Sequence, residues 1–146
     1  MRALVKVVSD AMCAQASIQI PYKMGIENLT VIPIPLHVKR FRERGFNQAC
    51  SLARRLFHAS TAVVDPFILE RTRYTAPQMR LSSKERLRNT RGAFQVRKGC
   101  EDMVNQRKFL LFDDILTTGS TVSSAADALK RHGASQVDVL AIARAV

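Results

Sequence analysis

The sequence contains no tryptophan, two tyrosines and seven phenylalanines among its 146 residues. Proteins that bind single-stranded nucleic acids stack the bases on aromatic side chains, so this small supply argues against a large stacking platform. No apolar stretch is long enough to cross a membrane. The basic residues Arg2 and Lys6 are not followed by an apolar core and a small-residue cleavage site. We therefore expect neither membrane insertion nor a secretory signal peptide.

Cysteine is also scarce, and its three copies are far apart in the sequence. Cys13, Cys50 and Cys100 form no Cys-x-x-Cys pair, and their number is odd. The pattern excludes a dense disulfide framework and shows no zinc-ligand spacing. It predicts reduced thiols in a cytoplasmic protein.

The sequence has 12 acidic residues against 23 lysines and arginines, which gives a net charge of +11 and a pI of about 10.5. Such an excess favours a polyphosphate substrate or a nucleic acid as partner, although a basic solvated surface is the alternative. The positive charge concentrates in residues 39–55 and 71–98. The candidate nucleic-acid contacts in the first stretch are Arg40, Arg42, Arg44, Arg54 and Arg55.

The length and composition fit one domain, over residues 1–146, with a buried core. Apolar spacing predicts helices over 2–14, around Ala49–Leu56, and over 121–132 with Gly133 at the end. A capping-box spacing at Ser82 predicts a further short helix. The predicted strands are 29–35, 62–64, 68–71, 93–96, 108–112 and 137–143. Because the last two strands and the helix between them form a β-α-β unit, we expect an α/β fold with a mostly parallel sheet flanked by helices. Residues 71–98 form a basic insertion in this fold.

The segment 109–121, Phe-Leu-Leu-Phe-Asp-Asp-Ile-Leu-Thr-Thr-Gly-Ser-Thr, is the most informative part of the chain. Its four apolar residues are typical of a buried parallel strand, and two carboxylates follow where open α/β sheets bind ligands. The hydroxyl-rich loop then begins a helix, whose amino terminus attracts anions. The two acids are too short and too close to bind the same phosphate, so they suit a ribose diol, a Mg²⁺ ion, or both. An ordinary strand–turn–helix with a Ser or Thr N-cap is the alternative.

A second constellation follows the strand that ends in Pro33 and Pro35. Prolines stiffen the chain and remove ladder donors, so the strand is expected to end in a rigid loop. A rigid loop with exposed amides and nearby cations is suited to a diphosphate. Arg42 and Arg44 would project to the same side if this loop were extended, and a solvated turn is the alternative.

Segment 109–121 closely resembles the phosphoribosyl diphosphate (PRPP) signature of type I phosphoribosyltransferases. The wider chain, over about residues 29–146, resembles the ComF/GntX family of phosphoribosyltransferase-like proteins, which are linked to natural competence. Further matching segments are Pro33–His37, Arg44–Gln48, Gln78, Glu85-Arg86, Asn89 and Gly92–Phe94. The family typically carries an N-terminal four-cysteine zinc module that this sequence does not contain, so the protein is either a short member or a truncated one.

The resemblance implies a type I phosphoribosyltransferase-like fold, with a hood or flexible loop near 71–98, that binds PRPP or ribose 5-phosphate with Mg²⁺. It implies that Asp113 and Asp114 contact the ribose hydroxyls directly or through Mg²⁺ or water. The implied 5′-phosphate loop is Thr117, Thr118, Gly119, Ser120 and Thr121, and the implied diphosphate loop is Leu36, His37, Val38 and Lys39. Arg73 and Lys84, with Arg86 and Arg88, are the candidate catalytic cations that close over the diphosphate, and Gln78 is a candidate acceptor contact.

Two functions stand at this point, and the sequence does not rank them. The first is a Mg²⁺-dependent phosphoribosyltransferase with an unknown nitrogen acceptor. The second is a non-catalytic PRPP-fold protein of natural competence that handles single-stranded DNA, or binds a competence helicase, through its basic face. The oligomeric state is left open.

Overall fold

A five-stranded parallel sheet forms the centre of the protein. The computed structural model describes residues 5–7, 29–58, 60–74 and 90–144. The sheet strands are β1 (Val5–Val7), β2 (Thr30–Pro33), β3 (Val63–Val64), β6 (Lys108–Leu116) and β7 (Gln136–Arg144). Their order is β1-β7-β6-β2-β3, and every neighbouring pair is parallel. The predicted α/β architecture is confirmed and is compatible with a type I phosphoribosyltransferase fold.

Helices α2 (Gln48–Phe57) and α3 (Ser120–Arg131) cover opposite faces of this sheet. A shorter helix, α1 (Val38–Arg44), follows β2 and has no buried residue. Alternate residues of β6 point to opposite faces, so Leu110 and Phe112 pack with α2, whereas Phe109 and Leu111 lie in the core that contains α3. None of the described helices has the length and apolar character needed to cross a membrane.

Two short strands form a separate sheet over the core. These are β4 (Leu69–Arg71) and β5 (Phe94–Val96), which pair antiparallel. Their buried side chains join the core on the α3 side of the main sheet. Strand β4 ends where the predicted basic insertion begins, and β5 lies within that insertion. Residues 75–89 of the insertion lie outside the described residues. They include Gln78, Lys84, Arg86, Arg88 and the predicted short helix at Ser82.

The structure corrects the expected loop after β2, because residues 38–44 form a helix. The His37 side chain caps its start by accepting a hydrogen bond from the Lys39 backbone N–H at 3.2 Å. Gly45 ends the helix with φ +77°, and its N–H donates to the Phe41 carbonyl at 2.8 Å. Val38 and Lys39 therefore belong to a helical turn, and Arg42 and Arg44 do not form an extended pair.

The structure also corrects the predicted helix over 2–14, since Val5–Val7 is a strand paired with β7. A short apolar run fits either a helix or a strand, and pairing at a sheet edge decides between them. The other residues of that predicted helix lie outside the described ranges. Strand β6 continues four residues beyond its predicted end at Phe112, so both carboxylates lie within the strand. Pairing with β7 explains the extension, because Asp113 is opposite Ala141 and Leu116 is opposite Arg144.

Candidate functional site

The two loops that the sequence singled out meet at the carboxyl edge of the sheet. Strands β2 and β6 are parallel neighbours, so the segments that follow them leave from the same edge. The Ile34 N–H donates to the Phe112 carbonyl at 2.8 Å, which holds the first segment against β6. The Asn47 side chain donates to the Ile34 carbonyl at 3.0 Å and accepts from the Cys50 N–H at 3.4 Å. Asn47 therefore fixes the start of α2 to the loop after β2.

A cavity of about 190 Å³ opens at this edge, and we call it the acid–arginine cavity. Its lining includes two carboxylates, three guanidiniums and one threonine, which are Asp113, Asp114, Arg40, Arg44, Arg71 and Thr121. Leu36, His37, Asn47 and Tyr74 also contribute to its wall. Carboxylates and guanidiniums thus face one small space, which suits a ligand with both hydroxyl and anionic groups.

Helix α1 explains why two of these arginines reach the cavity. Arg40 and Arg44 are four residues apart and share a helix face, and both line the cavity. Val38 and Phe41 are three residues apart and line a neighbouring groove instead. The sequence assigned Arg40 and Arg44 to nucleic acid, because the helix that brings them to the carboxylates was not predicted.

The environment of Asp113 raises its pKa to about 7. Burial is the main cause, and a side-chain hydrogen bond with Asp114 and the negative charge of Asp114 add to it. The backbone N–H of Asp114 and the charge of Arg71 oppose it. The Asp114 N–H donates to Asp113 Oδ1 at 3.0 Å, and the Ile115 N–H donates to Asp114 Oδ1 at the same distance. Burial and the nearby Arg40 lower the pKa of Arg71, and Asp113 partly restores it. An arginine side chain keeps its charge in proteins, so Arg71 is a cation in this cavity.

The two carboxylates fit Mg²⁺ better than a metal that needs a full set of protein ligands. Among the described residues, no group of three or more His, Cys, Asp and Glu could hold a metal. Mg²⁺ typically uses one or two carboxylates and completes its octahedron with water and substrate oxygens. Asp113 and Asp114 supply that number of carboxylates.

The loop before α3 leaves the amino terminus of the helix without a side-chain cap. The N-cap residue is Gly119, with φ +77°, and no side-chain cap hydrogen bond forms there. The expected alternative, an ordinary Ser or Thr N-cap, is therefore not what the structure has. Thr118 Oγ1 instead donates to Ser120 Oγ at 3.1 Å. Small residues and uncapped N–H groups at a helix start are the features that bind phosphate.

The predicted loop divides between two cavities. Thr121 lines the acid–arginine cavity, whereas Thr117, Thr118 and Gly119 line a second cavity of about 230 Å³. Ser120 is buried and contributes to neither lining. The structure thus brings the carboxylates and the loop to one edge of the sheet. Thr121 is the loop residue that lines the same cavity as Asp113 and Asp114.

The remaining predicted site residues lie at the edge of the acid–arginine cavity, outside it, or beyond the described residues. Lys39 Nζ lies 4.8 Å from the centre of the Tyr74 ring, and the His37 ring meets Tyr74 edge-on at 5.4 Å between centroids. Arg73 donates to the Arg91 carbonyl at 2.7 Å and does not line the acid–arginine cavity. Lys84 lies outside the described residues. Arg42, Arg54 and Arg55 are exposed on α1 and α2, and Arg54 lines the neighbouring groove.

Sequence reasoning missed Arg71 and Tyr74 as site residues. Arg71 ends strand β4, and the antiparallel pairing of β4 with β5 that places it in the cavity has no short-range signal. Its membership of the basic stretch was the available clue. For Tyr74 the sequence offered no signal. The N-cap role of Asn47 was signalled by an asparagine immediately before a helical stripe.

Comparison with known proteins gives similarity to a small set of bacterial relatives. The chain is 39% identical over 114 residues to DNA utilization protein YhgH of Escherichia coli O157:H7, and 37% identical to the protein of the same name from Salmonella typhi. It is 33% identical over 115 residues to Competence protein F of Haemophilus influenzae. These alignments cover 78–79% of the chain and 48–50% of the relatives. The chain therefore spans about half the length of the curated relatives it matches. No family model matches it.

Proposed function

Because the chain belongs to the ComF family, we propose that it has a role in the uptake or use of DNA and that its acid–arginine cavity binds PRPP or ribose 5-phosphate with Mg²⁺. We propose with this a type I phosphoribosyltransferase-like fold, with which the parallel sheet and its two helical layers are compatible. The names of the relatives support the DNA role, and the geometry of the cavity supports the ligand.

The observation that carries the ligand proposal is the shared lining of the cavity. Asp113 and Asp114 face Arg40, Arg44 and Arg71 across about 190 Å³. Carboxylates accept hydrogen bonds from a ribose diol, and guanidiniums bind phosphate oxygens in a planar, bidentate manner. A sugar that carries phosphate groups satisfies both, whereas inorganic phosphate alone leaves the carboxylates without a donor.

In this proposal Asp113 and Asp114 hold Mg²⁺, directly or through water and the ribose oxygens. When bound, Mg²⁺ neutralises negative charge on the diphosphate. Arg40, Arg44 and Arg71 hold the diphosphate, and the amino terminus of α3 holds the 5′-phosphate. Together these groups fix the ribose and its diphosphate, and such positioning supplies much of the rate enhancement in group transfer.

The proposed transfer replaces one bond at ribose C1 by another. The bond from C1 to the diphosphate oxygen breaks, its electron pair leaves with the diphosphate, and positive charge develops on the ribose ring. A nitrogen acceptor donates its electron pair to C1, and the proton it loses passes to the departing diphosphate or to water. The arginine side chains stabilise the charge that gathers on the leaving diphosphate.

A second function is favoured by the exposed arginines of α1 and α2. Arg42, Arg54 and Arg55 are exposed and do not line the acid–arginine cavity. With a net charge of +11 they make a basic surface that the sugar-phosphate ligand does not use. We propose that this surface associates with single-stranded DNA or with a competence helicase. This role is compatible with ligand binding, with or without turnover.

Calorimetric titration with PRPP and Mg²⁺ tests the ligand proposal. The wild-type protein is expected to bind, and Asp113→Asn combined with Asp114→Asn is expected to lower the affinity and its dependence on Mg²⁺. Inorganic phosphate should still bind this double variant, because the loop before α3 is intact and two negative charges are gone. Loss of phosphate binding in the double variant would show that the acids support the fold of the site.

Glycine variants with a matched control separate the loop from general strain. Gly119→Val is expected to weaken PRPP and phosphate binding, since the loop must keep φ near +77°. Gly99→Val introduces the same side chain at φ +89°, also with no neighbour within 4 Å, in a turn that does not line the cavity. Equal affinity in both variants would contradict the assignment of the loop.

Release of diphosphate, assayed with a panel of bases and ammonia, then distinguishes turnover from binding.

A further inference from the structure

An aromatic groove of about 630 Å³ lies beside the acid–arginine cavity. Its volume falls within the usual range of ligand pockets, about 300–1,000 Å³. Phe41, Phe46 and Phe67 line it, and we call it the phenylalanine groove. It shares Leu36, Asn47 and Arg71 with the acid–arginine cavity, so the two spaces adjoin.

The three phenylalanines of the groove are largely exposed and are not part of the buried core. Phe41, Phe46 and Phe67 keep 47%, 55% and 63% of their surface exposed. They come from helix α1, from the turn between α1 and α2, and from the segment that enters β4. A single exposed apolar side chain is ordinary, but a cluster in one groove typically marks a binding site. Three of the seven phenylalanines of the chain lie here.

Positive charge accompanies these rings. Arg54 and Arg97 line the groove, and Arg97 Cζ lies 5.8 Å from the centre of the Phe67 ring. Glu70 is the acidic residue among its lining. Aromatic faces next to guanidiniums suit a ligand in which planar rings alternate with phosphates, because rings stack on rings and arginine binds the backbone.

We propose that the phenylalanine groove binds single-stranded DNA by stacking unpaired bases on Phe41, Phe46 and Phe67 while Arg54 and Arg97 hold adjacent phosphates. The inference rests on the proposed association with single-stranded DNA and gives it a binding site and a mode of base recognition. Bases of a duplex are stacked inside it and offer no free face, so the groove discriminates against double-stranded DNA. The adjoining walls place the bound strand next to the sugar-phosphate ligand.

The test replaces aromatic faces while keeping apolar bulk. Phe41→Leu, Phe46→Leu and Phe67→Leu are combined in one variant, and Met103→Leu, at an exposed residue outside the groove, is the control. Binding is measured by anisotropy at low salt with an oligothymidylate and with an abasic oligonucleotide of the same length. The triple variant is expected to lose roughly tenfold or more in affinity for the oligothymidylate, the usual effect of losing a stacked base. Its affinity for the abasic oligonucleotide should stay unchanged.

A fluorescent base gives an independent readout. A strand containing 2-aminopurine should show quenched fluorescence on the wild-type and control proteins, because the base stacks, and recover it on the triple variant. Equal affinity of wild-type and triple variant for the oligothymidylate would overturn the inference while the DNA association stands. Self-association that the triple variant abolishes would also overturn it, since a second copy would then occupy the groove. If the wild-type protein binds neither oligonucleotide, the DNA part of the proposed function is wrong, and this inference is wrong with it.

Discussion

At the scale of single residues, the raised pKa of Asp113 indicates that its charged carboxyl destabilises the folded protein. Its carboxyl is partly buried beside a second carboxyl, and its pKa of about 7 lies above the ordinary value of 3.8 although the Asp114 backbone N–H and Arg71 oppose the shift. The destabilising effects of burial and of the Asp114 carboxyl therefore exceed the stabilising effects of the Asp114 backbone N–H and of the arginine. Binding residues are often held in such unfavourable surroundings.

The raised pKa fixes the sign of a stability change with pH. Below pH 3.8 the carboxyl is protonated in both the folded and the unfolded protein, and Asp113 contributes no difference. Between pH 3.8 and 7 the folded protein keeps a proton that the unfolded chain has released. The free energy of unfolding therefore falls as pH rises through this window, and the penalty is complete above pH 7.

Asp113→Asn is consequently expected to stabilise the ligand-free protein by about 1 kcal/mol or more at pH 8, since a shift of one pKa unit corresponds to about 1.4 kcal/mol. The gain should shrink as pH falls toward 4. Urea unfolding at several pH values measures it, and Asp127→Asn, at an exposed position of α3, is the control that should show no such trend. A variant that is less stable than wild type at pH 8 would mean that the charge of Asp113 stabilises the fold.

At the scale of elements, the buried framework could be predicted and the elements that depend on tertiary contacts could not. Strand β6 and helices α2 and α3 were evident because apolar residues recur at strand or helix spacing. Helix α1 was missed, since its sequence Val-Lys-Arg-Phe-Arg-Glu-Arg has two apolar residues and none of the seven is buried. Its capping residues, His37 and Gly45, were the usable signal. Strand β1 was missed because its pairing with β7 is a long-range contact.

The contact between the two-stranded sheet and α3 depends on buried polar groups. Thr90, Ser120 and Ser124 are the buried polar residues of the described part of the chain, and they lie together. Thr90 Oγ1 donates to the Ser120 carbonyl at 3.2 Å, and Ser124 Oγ donates to the Thr90 carbonyl at 2.6 Å. Thr90 stands four residues before β5, so these bonds attach the two-stranded sheet to the helix that begins at the phosphate loop.

Ser124→Ala is expected to lower the free energy of unfolding by about 1 kcal/mol relative to Ser123→Ala. Both changes replace serine by alanine at adjacent positions of α3 and bring the same gain in helix propensity. Ser123 is exposed, whereas Ser124 is buried with its hydroxyl bonded to Thr90. Urea unfolding of the two variants isolates the hydrogen bond, and equal stabilities would show that it contributes nothing to the attachment.

At the scale of the whole molecule, the position of the site could be predicted more fully than its composition. The carboxylates and the loop follow from one contiguous segment, because a strand, a turn and a helix start are local structures. The cations Arg40, Arg44 and Arg71 come from α1 and β4, and the fold alone brings them to Asp113. The positive charge that the sequence concentrates in residues 39–55 and 71–98 is thus divided between a cavity and an outer surface.

That division predicts that ligand and DNA affinities can be separated. Arg54→Gln with Arg55→Gln removes two charges from the exposed side of α2 and leaves the acid–arginine cavity intact. We expect weaker binding to single-stranded DNA. The slope of the log of the binding constant against the log of the salt concentration should become less steep by about 1.4, since each phosphate contact on a single strand contributes roughly 0.7 to it. PRPP affinity should be unchanged.

Arg107→Gln with Lys108→Gln is the matched control for this charge change. Both side chains are exposed where β6 begins, at the end of the strand opposite the carboxylates. The two double variants have the same net charge, so a general electrostatic attraction would weaken equally in both, whereas a DNA surface on α2 weakens mainly in the first. Binding isotherms at four or more salt concentrations distinguish these outcomes. If the salt slopes of both variants equal that of wild type, the excess charge serves ligand attraction and solubility, and the surface of α1 and α2 has no part in binding DNA.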